Sequence, residues 1–261
     1  GAEGYLRYRR DMLGDIGRVQ RQQKFINALI AKGLAARTVQ KDYRVLKAAL
    51  AHHDETFYTT LKRVDLPSAT PDDGPALSDN EVSLLLEKST GITRKGIILG
   101  ACSLRAGEAC ALKYGDITPD GLHVHATMVR TPADTWDYKP TPKTSASFRT
   151  SPLPDEFREI LGSGDPDKYI LDGIEPKALS DRFSRLRDKL GISKRYHFHS
   201  LRSYFASRLA MEGVPDVVTA KLGGWSPGSG ALKRIYQKVQ DEKLDTFKTR
   251  INKGLAELVK K

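Results

Sequence analysis

Between residues 37 and 52, Val39, Tyr43, Leu46 and Leu50 recur at intervals of four, three and four. That spacing predicts an amphipathic helix with one apolar face. Arg37, Lys41 and Arg44 fall largely on its other side, with Lys47 at the flank. Val19, Phe25, Ile26, Leu29 and Ile30 mark an earlier helix, and Gly33 is placed to end it. The helical pattern then stops. Three prolines, a glycine and two acids in residues 66–76 form an extended connector. The pattern therefore predicts a helical domain over 1–66, a linker over 67–76 and a second domain over 77–261.

In the second domain, Ser78-Asp-Asn-Glu81 is a capping box opening a helix that runs through Leu86. The next helix carries Ile97, Ile98 and Leu99 and leads into Arg105. Alternation over residues 122–127, after the turn-forming Pro119-Asp-Gly121, predicts a strand, and a second strand is expected near 147–153. From Pro154 onward the pattern is helical, interrupted at 162–167 and 191–195. The expected class is mainly α with a small antiparallel β-sheet (α+β). A last helix over 243–259 carries Leu244, Phe247, Ile251, Leu255 and Leu258, spaced 3-4-4-3. Gly254 weakens that helix by about 1 kcal/mol relative to Ala without abolishing it.

Charge adds a direction. Lys and Arg outnumber Asp and Glu by 43 to 32, a net charge of +11 over 261 residues, which favours a polyanionic partner. The excess is concentrated: residues 182–208 hold eight basic side chains against one acid, Asp188. A solvated helix face is the plain reading of that run; the presence of Arg202 beside His199 favours a DNA-facing one. Cys102 and Cys110 lack a second Cys/His cluster at zinc-like spacing, so they read as buried, reduced thiols. There is no apolar run long enough to cross a membrane and no secretory signal pattern, which makes the cytoplasm, with the nucleoid, the expected location.

The candidate chemistry is scattered over half the chain: Arg105, Lys143, His199-Ser-Leu-Arg202, Trp225 and Tyr236. Forked guanidiniums match phosphate oxygens. A phenol becomes a nucleophile once a neighbour takes its proton. His199 and Arg202, three residues apart, share a helix face. Such a set would suit the attack of a tyrosine on a phosphodiester without metal or cofactor, since no carboxylate cluster or Walker loop is present. Lys139, His197 and Tyr204 are neighbouring residues of the same types.

Arg105-Ala-Gly-Glu108, Lys143-Thr-Ser-Ala-Ser-Phe-Arg149, His199-Ser-Leu-Arg202, Leu222-Gly-Gly-Trp225 and Tyr236 resemble, in order and interval, the boxes of the tyrosine recombinases, the phage-integrase family. Gly33-Leu-Ala-Ala-Arg-Thr-Val39 extends a weaker likeness to the first domain. The resemblance implies a site-specific recombinase or integrase that cleaves and rejoins DNA through a 3′-phosphotyrosyl intermediate, for integration or excision of a phage or mobile element. It implies that Tyr236 is the nucleophile, that Arg105 and Arg202 clamp phosphate, and that His199 takes a proton or bonds the phosphate. Lys143 is then the acid for the 5′-oxygen, and Glu108 steadies Arg or His.

Trp225 stands where histidine is more usual; its indole N–H donates but cannot move a proton. The segment from Ser226 to Tyr236 is a couple of residues longer than family members commonly show. The likeness also implies that the first domain grips double-stranded core sites, through Arg37, Lys41, Arg44 and Lys47. It further implies a homo-tetramer on DNA that exchanges the C-terminal helix between protomers. Two other classes compete. A type IB topoisomerase shares the chemistry but would act as a monomer, and a non-catalytic DNA-binding regulator would explain the charge but not the ordered polar boxes.

Overall fold

The computed structural model describes residues 14–53, 65–68, 76–140, 148–243 and 248–249. Lys143 and the apolar stripe from Leu244 to Leu258 lie outside them. The chain divides into two compact units, Gly1–Gly74 and Pro75–Lys261.

The first unit pairs α1 (Gly14–Ala31) with α2 (Ala36–His53). Ile26, Val39 and Tyr43 form its buried centre, with Phe25, Leu29 and Leu46 packed around them. Gly33 turns the chain between the helices at φ +73°, a conformation that favours glycine. Residues 65–68 run along this helical pair. The Gln23 amide donates to the Asp65 carbonyl and accepts from its N–H, and Gln40 donates to the Pro67 carbonyl. The start of the connector is therefore tied to the helices by side-chain amides, a contact the Pro-rich composition does not announce. Arg37, Lys41 and Arg44 are exposed and Lys47 is half-buried.

In the second unit, α3 (Asp79–Glu87) opens with the expected capping box between Ser78 and Glu81. Helix α4 (Gly91–Ala101) buries Ile97, Ile98 and Leu99 in succession, so it is surrounded rather than lying on a surface. Two glycines make this possible. A Cβ at Gly96 would meet Leu179 at 2.4 Å and one at Gly100 would meet Leu201 at 2.6 Å. Those leucines belong to α7 (Pro176–Lys189) and α8 (Phe198–Met211), which close over α4 with Phe183 edge-on to Phe198. Helices α5 (Ala106–Ala111), α6 (Asp155–Leu161), α9 (Asp216–Gly223) and α10 (Gly230–Glu242) complete the described helical elements beside a short 3-10 turn at Tyr114–Asp116.

The protein is mainly α, and among the described residues its β structure is two small antiparallel sheets. Strands β1 (Ile117–Thr118), β2 (Gly121–Val124) and β5 (Arg149–Ser151) form the first, in the order β1-β2-β5. Strands β3 (Thr127–Arg130) and β4 (Trp136–Lys139) form a separate hairpin. The single strand expected over 122–127 thus breaks after Val124. His125 leaves the ladder to meet Asp116 at 2.8 Å, and Thr127 begins pairing with another partner.

The basic run over 182–208 also splits. Arg187 is buried, donating to the carbonyls of Lys194 and Tyr196 and to the Asp188 carboxylate. It closes the 190–196 loop. Arg208 pairs with Asp79 and Glu212. Arg182, Arg185 and Lys189 remain exposed along one face of α7. Cys102 and Cys110 are buried free thiols, both pushed up to about 12 by burial. No helix among the described residues is long and apolar enough to cross a membrane.

Candidate active site

Arg105 caps the N-terminus of α5, in extended backbone just before the helix. Its N–H donates to Glu108 Oε2 at 3.0 Å, and its guanidinium grips Oε1 of the same carboxylate. The other guanidinium nitrogen reaches the Gly224 carbonyl at 3.2 Å. The side chain remains 41% exposed, so one edge of this cation faces solvent. Glu108 itself is buried. Burial alone would raise its carboxyl, but Arg149 and then Arg105 outweigh that and hold it below the ordinary value. It is therefore charged at neutral pH.

Arg149 is the residue that sequence reasoning passed over. It appears in the box with Lys143 but carried no role. In β5 the alternation turns Arg149 and Ser151 inward with Thr150 exposed between them. Arg149 Nη2 then bridges Glu108 Oε2 at 2.9 Å and the Ser103 carbonyl at 3.0 Å. A basic residue at an inward strand position was the available signal.

Arg202, on α8, is the largest of the fully buried side chains, at 1% exposure. Its guanidinium donates to the carbonyl and hydroxyl of Ser103 and to the carbonyls of Gly223 and Gly224. Burial, then Arg105 and Arg149, push its pKa down to about 9, with Glu108 opposing; it remains charged at neutral pH. Its Nε is buried without a hydrogen-bond partner among the described residues. Ser103 is the hub of this arrangement. It sits at φ +73°, unusual for a side-chain-bearing residue, and so aims one carbonyl at both Arg149 and Arg202.

The Gly223-Gly224 pair is equally specific to the site. A Cβ on Gly223 would lie 1.9 Å from the Trp225 ring, and Gly224 turns at φ +71° against Arg149. Trp225 lays the face of its ring on Arg202, 3.8 Å from centroid to guanidinium carbon. The indole thus contributes its π face as well as any N–H donor.

His199 stands in the first turn of α8 and keeps access to solvent. Protein crowded around the ring, then Arg202 and Arg105, hold its imidazole below the ordinary value, with Glu108 opposing. It is neutral at pH 7, the form that accepts a proton. The backbone N–H of His197 donates to Ser200 Oγ at 3.0 Å at the start of α8, and its side chain is exposed.

Tyr236, on α10, is half-buried against Ala206, Ala220 and Leu232. Its hydroxyl does not join the arginines. Among the described residues its hydrogen bonds go to the Val214 carbonyl at 2.7 Å and Thr219 Oγ1 at 2.5 Å. Burial raises its pKa, the Thr219 hydrogen bond opposes, and Asp216 adds to the rise. Tyr204 is engaged with Asp79 at 2.9 Å.

The structure thus brings together Arg105, Glu108, His199, Arg202 and Trp225, adds Arg149 and Ser103, and seats Tyr236 to one side. Three guanidiniums face one carboxylate, an excess of positive charge that a phosphate would neutralise. Among the described residues, no group of three or more His, Cys, Asp and Glu gathers as around a metal ion.

Arginines brought together from the cap of α5, from β5 and from α8 define an anion-binding site in a mainly helical domain. The chain belongs to the phage integrase family, whose model matches residues 77–243. A model of the LytR_cpsA_psr family matches residues 1–66, which hold none of the clustered side chains. The chain is 28% identical over 187 residues to a tyrosine recombinase of Pseudothermotoga lettingae, covering 68% of this chain and 61% of that one. It is 24% identical over 248 residues to a XerC-like tyrosine recombinase of Caldanaerobacter subterraneus subsp. tengcongensis, covering 78% and 63%. It therefore spans less than two thirds of the length of these curated relatives. In fold it is similar to the Tn1549 transposon integrase in complex with a circular intermediate DNA. That likeness has a TM-score of 0.68 at 18% identity and covers 90% of this chain and 89% of that one.

Proposed function

We propose that this chain is a site-specific DNA recombinase that cleaves and rejoins strands of duplex DNA through a 3′-phosphotyrosyl intermediate, serving integration or excision of a phage or mobile element. The observation that carries the reading is the Arg105–Arg149–Arg202 cluster, offset among the described residues by Glu108 and left open to solvent along Arg105. Arg105 and Arg202 bind the non-bridging oxygens and stabilise charge developing at phosphorus. Tyr236 attacks the phosphorus, its proton passing to neutral His199, while the bond to the 5′-oxygen breaks. Lys143 protonates that oxygen. Glu108 and Arg149 hold Arg105 and Ser103 in place and do not react.

Double-stranded DNA is the partner. Exchanging both strands between two duplexes takes four cuts, one tyrosine each, which favours a tetramer on DNA; the stripe from Leu244 to Leu258 would link its protomers. The exposed Arg37, Lys41 and Arg44, with Lys47, suit phosphate contact by the first unit. A DNA substrate favours a location in the cytoplasm, at the nucleoid.

The reading is tested with nicked suicide duplexes. The parent protein should form a covalent adduct that peptide mapping places on Tyr236. Tyr236→Phe should bind DNA but form none. An adduct on another tyrosine would overturn the assignment.

A further inference from the structure

The hydroxyl of Tyr236 is engaged twice where it stands. A phenol has one proton, and here it goes to the Val214 carbonyl at 2.7 Å. The Thr219 hydroxyl, 2.5 Å away, must then be the donor to the phenol oxygen. Thr219 has 0% exposure, so water does not compete for that bond. A backbone carbonyl holds a proton in place but does not remove it, and the neighbouring charge is Asp216, which disfavours a phenolate. The oxygen that should attack thus has both its proton and a lone pair engaged.

Among the described residues this hydroxyl makes no hydrogen bond to Arg105 or Arg202. Thr219 lies four residues before Gly223, about 6 Å along the axis of α9, and the Gly223 carbonyl is what Arg202 holds. The chain has the means to cover that distance. Residues 226–229 separate Trp225 from α10 and include Pro227 and Gly228, the latter at φ +72°. Ser229 caps α10 through its hydroxyl, so this helix starts afresh after the loop, packed on Ala206 and Ala220 through Leu232.

We propose that the Val214 carbonyl and the Thr219 hydroxyl form a resting seat for the nucleophile, and that Thr219 is the positioning residue that sets how readily Tyr236 leaves it. The seat keeps the phenol out of the phosphate site until DNA is engaged. This rests on the reading of Tyr236 as nucleophile and adds to it a restraint outside the arginine cluster.

Thr219→Val preserves shape and removes the donor; Thr219→Ser restores it. Two readouts separate the seat from the chemistry. In DNA-free protein labelled at the tyrosine ζ carbon, the Tyr236 signal, assigned with Tyr236→Phe, should stand apart from exposed tyrosines. It should move to their position in Thr219→Val and stay in Thr219→Ser. On nicked suicide duplexes, Thr219→Val should form the Tyr236 adduct faster by about fivefold, the equilibrium value of one net hydrogen bond. Thr219→Ser should keep the parent's rate. An unmoved Tyr236 signal, or adduct formation on Tyr236 that is unchanged or slower in Thr219→Val, would overturn the seat. An adduct on another tyrosine would instead remove the nucleophile reading, and with it the seat's purpose, even with the signal moved.

Discussion

The Arg202 guanidinium carbon lies 3.8 Å from the centroid of the Trp225 ring. A buried cation is expensive unless its surroundings replace water. Here the carbonyls of Ser103, Gly223 and Gly224 take its N–H groups and the indole covers its face. The stack itself is worth on the order of 0.5–2 kcal/mol. Trp225→Ala should therefore lower unfolding free energy in urea by about 2–4 kcal/mol, since packing is lost with it. It should also abolish adduct formation. Trp225→Phe keeps an aromatic face and should retain most of both.

Glu108 gives a stability signal in acid. Its folded pKa is depressed by Arg149 and Arg105 against the effect of burial, from an ordinary value of 4.5. Its contribution is complete above 4.5 and is lost as pH falls through the lower folded value. Urea titrations below pH 4.5 should show a shallower fall of stability in Glu108→Gln than in the parent. Arg149→Met leaves the buried carboxylate to Arg105 alone and should cost about 1–3 kcal/mol at pH 7.

His199 should titrate below the ordinary histidine value of 6.5, because crowding and the charges of Arg202 and Arg105 disfavour its protonated form. The sign follows: as pH falls below 6.5 the unfolded chain takes up a proton that the folded ring still refuses, so stability is lost towards the folded pKa. Proton NMR of the ring should give a depressed midpoint, moving upward in Arg105→Gln. Adduct formation should decline on the acid side of that midpoint, where the ring can no longer accept a proton. A midpoint at or above 6.5 would count against His199 as the base.

Lys41 and Arg44 are exposed on α2. If they contact phosphates, Lys41→Glu with Arg44→Glu should weaken DNA binding and flatten its dependence on salt, by about 0.9 in log–log slope per lost contact. Once DNA is bound at saturation, the rate of adduct formation should be unchanged. Unaltered affinity would leave that helix face merely solvated.

Much of this protein is legible as sequence because its signals are local. The Ser78–Glu81 box spans one helical turn, so it forms whatever lies elsewhere. The four-three-four spacing in α2 requires an apolar face, and Val39 and Tyr43 are indeed buried. The order of Arg105, His199, Arg202 and Trp225 carries the resemblance to the family before any fold is known. The hairpin β3–β4 was not legible, because its strands are short and Trp136 to Lys139 carry no clean alternation of burial.

Tertiary structure decided what depends on partners far away in the chain. Arg149 and Ser103 are ordinary residues until β5 brings a guanidinium 2.9 Å from Glu108, 41 positions earlier. Of the eight basic residues over 182–208, Arg187 serves a loop and Arg202 the arginine cluster; no local rule separates them from the exposed Arg182 and Arg185. Sequence placed a tyrosine after the boxes, but only packing shows its hydroxyl on Val214 and Thr219 rather than among the arginines. Periodicity fixes which face of an element is apolar; which distant atom a buried polar group meets is fixed by the close packing of the whole unit.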